Sequence, residues 1–354
     1  MQSGFPGEHL AWREVLVMGA TPAGLTDAQW LELRAGELAE SNRLDLDTCR
    51  KDLARQESLL ARLADYDEVV LWFEHDLYCQ TLLIYLLSRL QALLPKSETA
   101  ESKWEIARGP RTPVPGHTEL SLICINEFLG VEPFRGLGQL TAEQMATLYP
   151  KRHAVTRTEM NTAASAWAAY CSSDPRAIED FLASRPPRMF SSRPAESTPE
   201  PAAETPLPFL DAALEAHLRR FPSMRNGLGW LQNQAVSLIA EGYHRFSALF
   251  RALSDRGPEY GLADCQCSVE LDRLVRVPKP VLAVEGVGDW AAAFHNHDIS
   301  GVSFALTPTG ESVLAGDVDF IALNGINLWL GGVHLTETAP LWRWDEDRGT
   351  LVSR

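Results

Sequence analysis

Val69-Val70-Leu71-Trp72-Phe73 runs directly into Glu74-His75-Asp76-Leu77-Tyr78-Cys79-Gln80. The five apolar residues, rich in β-formers, predict a short buried strand. Residues 77–94 then carry Leu82, Leu83, Tyr85, Leu86, Leu90 and Leu93, which predicts a strongly apolar helix. Working outward, residues 26–64 place Leu31, Leu33, Leu38, Leu53, Leu59, Leu60 and Leu63 at helix-like intervals, with Thr26 able to cap. Downstream, Leu120-Ser121-Leu122-Ile123-Cys124-Ile125 reads as a second strand. Helix, strand, helix, strand predicts an α/β domain with a mostly parallel sheet and Rossmann-like layering. Residues 141–185 read as a helical extension, through Met145, Leu148, Met160, Trp167, Tyr170, Ile178 and Phe181.

Residues 186–208 are dominated by Pro, Ser, Ala and Glu, and Pro recurs too often for a helix or a central strand. The reading is therefore an α/β domain over 1–140, the helical extension over 141–185, a Pro/Ser-rich linker over 186–208, and a second domain over 209–354. That second domain is mainly helical, with helices expected at 209–220, 228–241, 244–254 and around 264–276. Val281–Val284 and Val302–Leu306 look like short strands, and a short helix follows Thr307-Pro308-Thr309-Gly310. Short helices followed by a two-stranded hairpin are the order of a winged helix-turn-helix, which fixes no function.

At 354 residues the chain holds two or three domains and a large core without staples. Its 32 Lys+Arg against 47 Asp+Glu give a net charge of −15, which argues against a general nucleic-acid binder and against docking on anionic membrane. No apolar run reaches the roughly 18 residues of a spanning helix. Met1 to Pro6 lacks the basic-then-apolar pattern of a secretory leader. Cys49, Cys79, Cys124, Cys171, Cys265 and Cys267 are scattered, as reduced cytoplasmic thiols are.

The strand-to-helix junction is the first candidate site. In open α/β sheets ligands bind outside the carboxyl ends of strands, and a helix N-terminus offers free N–H groups and partial positive charge. His75 is the candidate general acid/base, with Glu74 or Asp76 to orient it. Gln80 lies one turn on and can face the same crevice. Trp12-Arg13-Glu14 is the second candidate, placing a guanidinium in that crevice for a carboxylate or phosphate. The plainer alternatives are that Asp76 caps the helix, His75 packs locally, Glu74 is solvated, and Arg13 or Glu14 makes a structural ion pair.

Other motifs carry less. Gly136-Leu137-Gly138 reads as a turn before a helix opened by Thr141, and the chain has neither a phosphate-loop signature nor a nucleophile elbow. Cys265-x-Cys267 and His295-x-His297-Asp298 have the wrong spacing for a structural zinc, so no metal is predicted. Arg219, Arg220, Arg225, Arg245 and Arg251 suggest a basic strip, yet residues 209–354 hold 12 Lys/Arg against 18 Asp/Glu. Gly331-Gly332 marks a turn or a close backbone approach, Trp329 and Leu330 read as core, and His334 reads as a buried, satisfied histidine, with a functional histidine as the alternative.

Several phrases together resemble a bacterial family, domain of unknown function 1835, in its longer two-part form. They are Trp12-Arg13-Glu14, Trp-Phe-Glu-His-Asp-Leu-Tyr-x-Gln at 72–80, Gly-Leu-Gly-x-Leu at 136–140 and Asn-Gly-Leu at 226–228. Leu-Thr-x-x-Gly-x-x-Val-Leu-x-Gly at 306–316 and Asn-Gly-Ile-x-x-Trp-Leu-Gly-Gly-Val-His-Leu at 324–335 complete the set. The resemblance implies a strand upstream of Trp12; only eleven residues precede Trp12 here, so the expectation is either that this member lacks the strand or that the start is misplaced. Glu14 stands where the family favours Asp, and Leu328 where Arg is common. It implies no reaction, cofactor or partner. The leading expectation is a small-ligand-binding or regulatory protein whose second domain contacts a protein partner. The alternatives are an enzyme using His75 with Glu74 or Asp76 on an anionic substrate, and a DNA-binding regulator.

Overall fold

The computed structural model describes residues 7–42, 44–93, 118–186, 205–287, 289–295, 299, 301–338 and 340–353. The first helical stretch is two helices, α1 (Asp27–Asn42) and α2 (Leu46–Leu60), rather than one. Thr26 and Gln29 exchange side chain-to-backbone bonds of 3.0 and 3.3 Å at the start of α1. The break has a local cause, because Asp45 accepts the Thr48 N–H at 2.8 Å and opens a new helix.

Strand β1 (Glu68–Glu74), helix α3 (Leu77–Leu93) and strand β2 (Glu119–Ile125) follow in order. β1 and β2 pair in parallel, Val69 opposite Leu120 and Glu74 opposite Ile125, as two strands joined through a crossover helix must. After α4 (Ala142–Leu148) comes β3 (His153–Ala154), which pairs antiparallel with β2. The chain is thus mixed α/β, but the sheet is three strands in the order β1-β2-β3 with one parallel and one antiparallel pair. The mostly parallel sheet expected from the sequence does not form among the described residues, because no second crossover helix follows β2 to bring in another parallel strand. The helical extension is α4, α5 (Arg157–Tyr170) and α6 (Arg176–Ala183), with Thr141 and Thr156 each closing a capping box.

The remainder runs α7 (Leu210–Leu218), α8 (Trp230–Ala240), α9 (Phe246–Arg256), α10 (Asp264–Val275), β4 (Leu282–Glu285), α11 (Trp290–His295), β5 (Ser303–Leu306), α12 (Pro308–Ala315) and α13 (Phe320–Asn324). Hairpins β6 (Asn327–Leu330)–β7 (Val333–Thr336) and β8 (Trp342–Asp345)–β9 (Thr350–Ser353) end it. β4 and β5 form an antiparallel ribbon, and Arg245, between α8 and α9, bridges to Ser303 of β5.

Core membership does not follow the boundary drawn at 186–208, of which residues 187–204 lie outside the described residues. One core joins α3, β2 and α5 to residues from far beyond it: Leu210, Leu214 and Leu218 of α7, then Leu330, Val333, Leu335 and Leu351 of the hairpins. Its fully buried Leu83, Ile84 and Leu87 each contribute about 1.5–3 kcal/mol by leaving water. The second core holds α8 to α10, the β4–β5 ribbon and α12. A polar knot ties the two: Arg343 of β8 donates to Asp319 Oδ1 at 3.0 Å and to the Ser223 carbonyl at 3.0 Å, while Asp319 caps α13.

The glycine pair of the β6–β7 turn makes the close approach its sequence suggests. Gly332 N donates to the Tyr170 carbonyl at 2.9 Å, and Thr21 N to the Gly331 carbonyl at 3.0 Å. Leu330 is buried, Trp329 is half-buried, and His334 is exposed rather than buried. The His334 ring stacks on Trp329 at 4.3 Å and bonds Asn327 at 2.7 Å. No helix among the described residues is long and apolar enough to cross a membrane.

Candidate functional site

β1 delivers Glu74 at its carboxyl end, and a two-residue turn, His75-Asp76, leads into α3. Asp76 Oδ1 accepts the Cys79 N–H at 2.9 Å, the N-cap bond of the helix. The side chain is buried, because the backbone of Gly261 is pressed against it. A Cβ at Gly261, where φ is +58°, would lie 2.2 Å from Asp76 Oδ1. Burial outweighs the cap bonds and pushes the Asp76 carboxyl up to about 7, with neighbouring Glu74 adding to the rise.

That shift has a sign. From pH 3.8 to about 7 the folded protein binds a proton that the unfolded chain has released, so this group's contribution to stability falls as pH rises through the window. Asp76→Asn keeps a capping acceptor and removes the charge. It is expected to melt higher than the wild type at pH 8, with the gap narrowing as pH falls through that window. A melting series from pH 5 to pH 8 on both proteins checks this, and a constant gap would contradict it.

Glu74 is held from two sides. Its Oε1 accepts the Leu137 N–H, and its Oε2 the Cys79 thiol at 3.3 Å. The 136–137 turn wraps the Glu74 carboxylate, and a Cβ on Gly136 would lie 2.8 Å from Glu74 Oε1. Oxygen and sulfur atoms of Glu74, Asp76 and Cys79 lie within 4.8 Å of one another, the one such donor set found among the described residues. Burial, with Asp76 and Glu74 nearby, keeps the Cys79 thiol protonated. Backbone donors and that thiol hold the set as it stands.

Glu74 and Asp76 line a cleft of about 710 Å³. Its other wall comes from α9, the 257–264 turn and Ile299, so the cleft lies where the two cores meet. Phe246, Phe250, Leu262 and Ile299 make an apolar side; the polar lining includes Asp264, Arg135 and Arg251, with Tyr78 and, on α9, Ser247 and Ser254. Arg135 is ion-paired with Asp255, whereas Arg251 is exposed and has no ion pair among the described residues.

The other candidate residues are elsewhere. His75 does not line the cleft. Its ring lies edge-on to Phe209 at 6.2 Å, its Nδ1 is buried without a partner, and burial lowers its pKa against the pull of Glu74 and Glu259. Gln80 is a structural tie: its Nε2 donates to the Glu74 carbonyl at 2.7 Å and to Cys124 Sγ at 3.3 Å, joining the ends of β1 and β2. Trp12 packs against Tyr85, with ring centroids 6.2 Å apart. Arg13 is exposed, and its backbone N–H donates to Gln56. Glu14 is buried in an ion pair with Arg34 at 2.7 Å. Trp12, Arg13 and Glu14 thus leave the crevice, because Arg34, not Arg13, is the partner that Glu14 finds.

Of the five arginines, Arg225, Arg245 and Arg251 are exposed, while three have partners within the fold. Arg219 faces Glu259 at 4.0 Å, Arg220 interacts with Tyr170, and Arg225 caps the α12 carbonyls with a 3.0 Å bond to Leu314. Cys265 and Cys267 sit on α10 with no metal set around them among the described residues; His297 and Asp298 lie outside those residues. Sequence reasoning missed Arg135 and Gly261, since no local pattern links either to Asp76. No family model matches the chain, and neither a curated protein nor a solved structure does.

Proposed function

We propose that this is a small-ligand-binding regulatory protein, in which occupancy of the cleft is passed to a winged-helix-like module that contacts a protein partner. The observation that carries the reading is the cleft itself. A space of about 710 Å³ opens at the carboxyl end of β1, with one apolar side, a few convergent charges and the perturbed carboxyl of Asp76. That combination is the usual anatomy of a ligand site. Its walls come from both cores, so a ligand there touches both.

The winged-helix reading rests on three helices, α8, α9 and α10, followed by the antiparallel β4–β5 ribbon, whose strands are joined through α11, with the Arg245–Ser303 bridge adding a third backbone segment to the ribbon. A protein partner fits this module better than DNA. α10, the helix that would read bases, carries Asp264, Glu270 and Asp272 against Arg273 alone; Arg273 and the following Arg276 are ion-paired with Glu270 and Asp272, and every residue of the helix after Asp264 is at least half-covered. A recognition helix needs a basic, open face. The enzyme reading has lost its histidine from the cleft, so proton transfer there would fall to Asp76 and Glu74. The resemblance to the domain of unknown function 1835 family and a cytoplasmic location are part of the same proposal; six free thiols suit a reducing compartment.

Native mass spectrometry of gently purified protein tests the reading. The expected result is a small-molecule adduct that is lost in Ser254→Trp, which fills the cleft from α9. A clean apo spectrum, together with no metabolite that raises the melting temperature of the wild type above that of Ser254→Trp, would overturn it.

A further inference from the structure

We infer that the cleft selects a small organic cation, an ammonium group carried on an apolar body; this rests on the cleft being a binding site. The inner end is acidic, formed by half-buried Glu74 and buried Asp76, and Asp264 adds a third carboxylate at the exposed rim; none of the three makes an ion pair among the described residues. Asp264 accepts only the adjacent Cys265 N–H, at 2.7 Å. Of the two guanidiniums, Arg135 is neutralised by Asp255, which leaves Arg251 alone at the exposed side. The N-termini of α3 and α10 supply only partial positive charge.

Asp76 is the decisive group. It is 4% exposed yet lines the cleft, and no cation is paired with it. A carboxylate removed from water without a cation is costly, so it takes either a proton or a bound positive charge. The geometry suits a single nitrogen. Carboxylate oxygens of Glu74 and Asp76 lie within 4.8 Å of each other, a separation one ammonium spans at about 2.8 Å from each, donating a charge-assisted hydrogen bond to both. An ammonium has three donors and no acceptor, which matches the two carboxylates at the inner end. Beyond the carboxylates, Phe246, Phe250, Leu262 and Ile299 offer an apolar surface for the rest of the molecule. An anion of the same size would meet like charge at the inner end.

Titration calorimetry on the full chain at pH 8 tests the inference with two matched series. One is phenethylamine, isoamylamine and agmatine; the other is 3-phenylpropionate and 4-methylpentanoate. Manganese and zinc chlorides are titrated separately. The expected result is saturable binding by at least one amine and by neither acid. That amine should bind up to about tenfold more weakly at pH 6, where most Asp76 holds a proton, and at least tenfold more weakly to Glu74→Gln, which keeps the acceptor for Leu137 N–H. Binding of an acid but no amine, lost in Ser254→Trp, would overturn the cation class and leave the cleft reading standing. Binding of a metal ion but no amine, lost in Glu74→Gln, would likewise overturn it. Silence from both series and both metals would overturn the cation class, and a clean native spectrum alongside it would remove the cleft reading as well.

Discussion

Arg34→Met is expected to destabilise the protein by about 3–5 kcal/mol, the cost of leaving one member of a buried ion pair without its partner. Arg34 is among the largest fully buried side chains, and its pair with Glu14 is shielded on both sides. The guanidinium also organises the chain before α1. Nη1 donates to the Met18 and Ala20 carbonyls, both at 3.0 Å, and Nη2 to the Val15 carbonyl at 3.1 Å. Methionine fills most of the volume but leaves the Glu14 carboxylate and those carbonyls without their donor. Urea unfolding should show a lower midpoint with little change in slope. The double variant Arg34→Met/Glu14→Gln should regain part of the loss, since the stranded charge is gone. A single-variant loss below about 1 kcal/mol would mean the 14–20 segment re-solvates freely.

Gly332→Ala is expected to cost about 3 kcal/mol or more, above the ordinary range for adding one methyl group to a packed site. The new Cβ would lie 2.0 Å from the Cys171 carbonyl oxygen and 2.2 Å from its carbon, both main-chain atoms at the end of α5 that cannot rotate away. The β6–β7 hairpin would have to lift off, exposing Leu330, Val333 and Leu335 of the first core. Hydrogen exchange should therefore accelerate across 327–336 and at Thr21, whose N–H is bonded to the Gly331 carbonyl. Unchanged exchange there would show that the docking of the turn is looser than its contacts imply.

Much of the scaffold was legible before the fold was known. The run from Val69 to Phe73 became β1, the apolar stretch after it became α3, and Thr141 capped its helix. The glycine pair at 331–332 marked a backbone approach. These features depend on neighbours a few residues away, so a linear reading finds them. The single long helix over 26–64 failed at Asp45, where a local capping bond competes with helix continuation.

The site was legible only in part. Placing Glu74 and Asp76 at a strand-to-helix junction follows from sequence; sending His75 toward Phe209 and away from the cleft does not, since successive turn residues point to different neighbours. Arg13 looked like the crevice's cation because it adjoins an acid. Glu14 instead pairs with a residue 20 positions away, and the cleft's arginines come from 135 and 251.

Local order, capping and the apolar junction were written in the chain, because each is settled by the chemistry of adjacent residues. The tertiary structure alone decided which core each segment joined, and that Gly261 would press on Asp76. Burial depends on what arrives from distant parts of the chain, and it is burial, not the identity of the aspartate, that raises its pKa and leaves an acidic wall facing an open cleft.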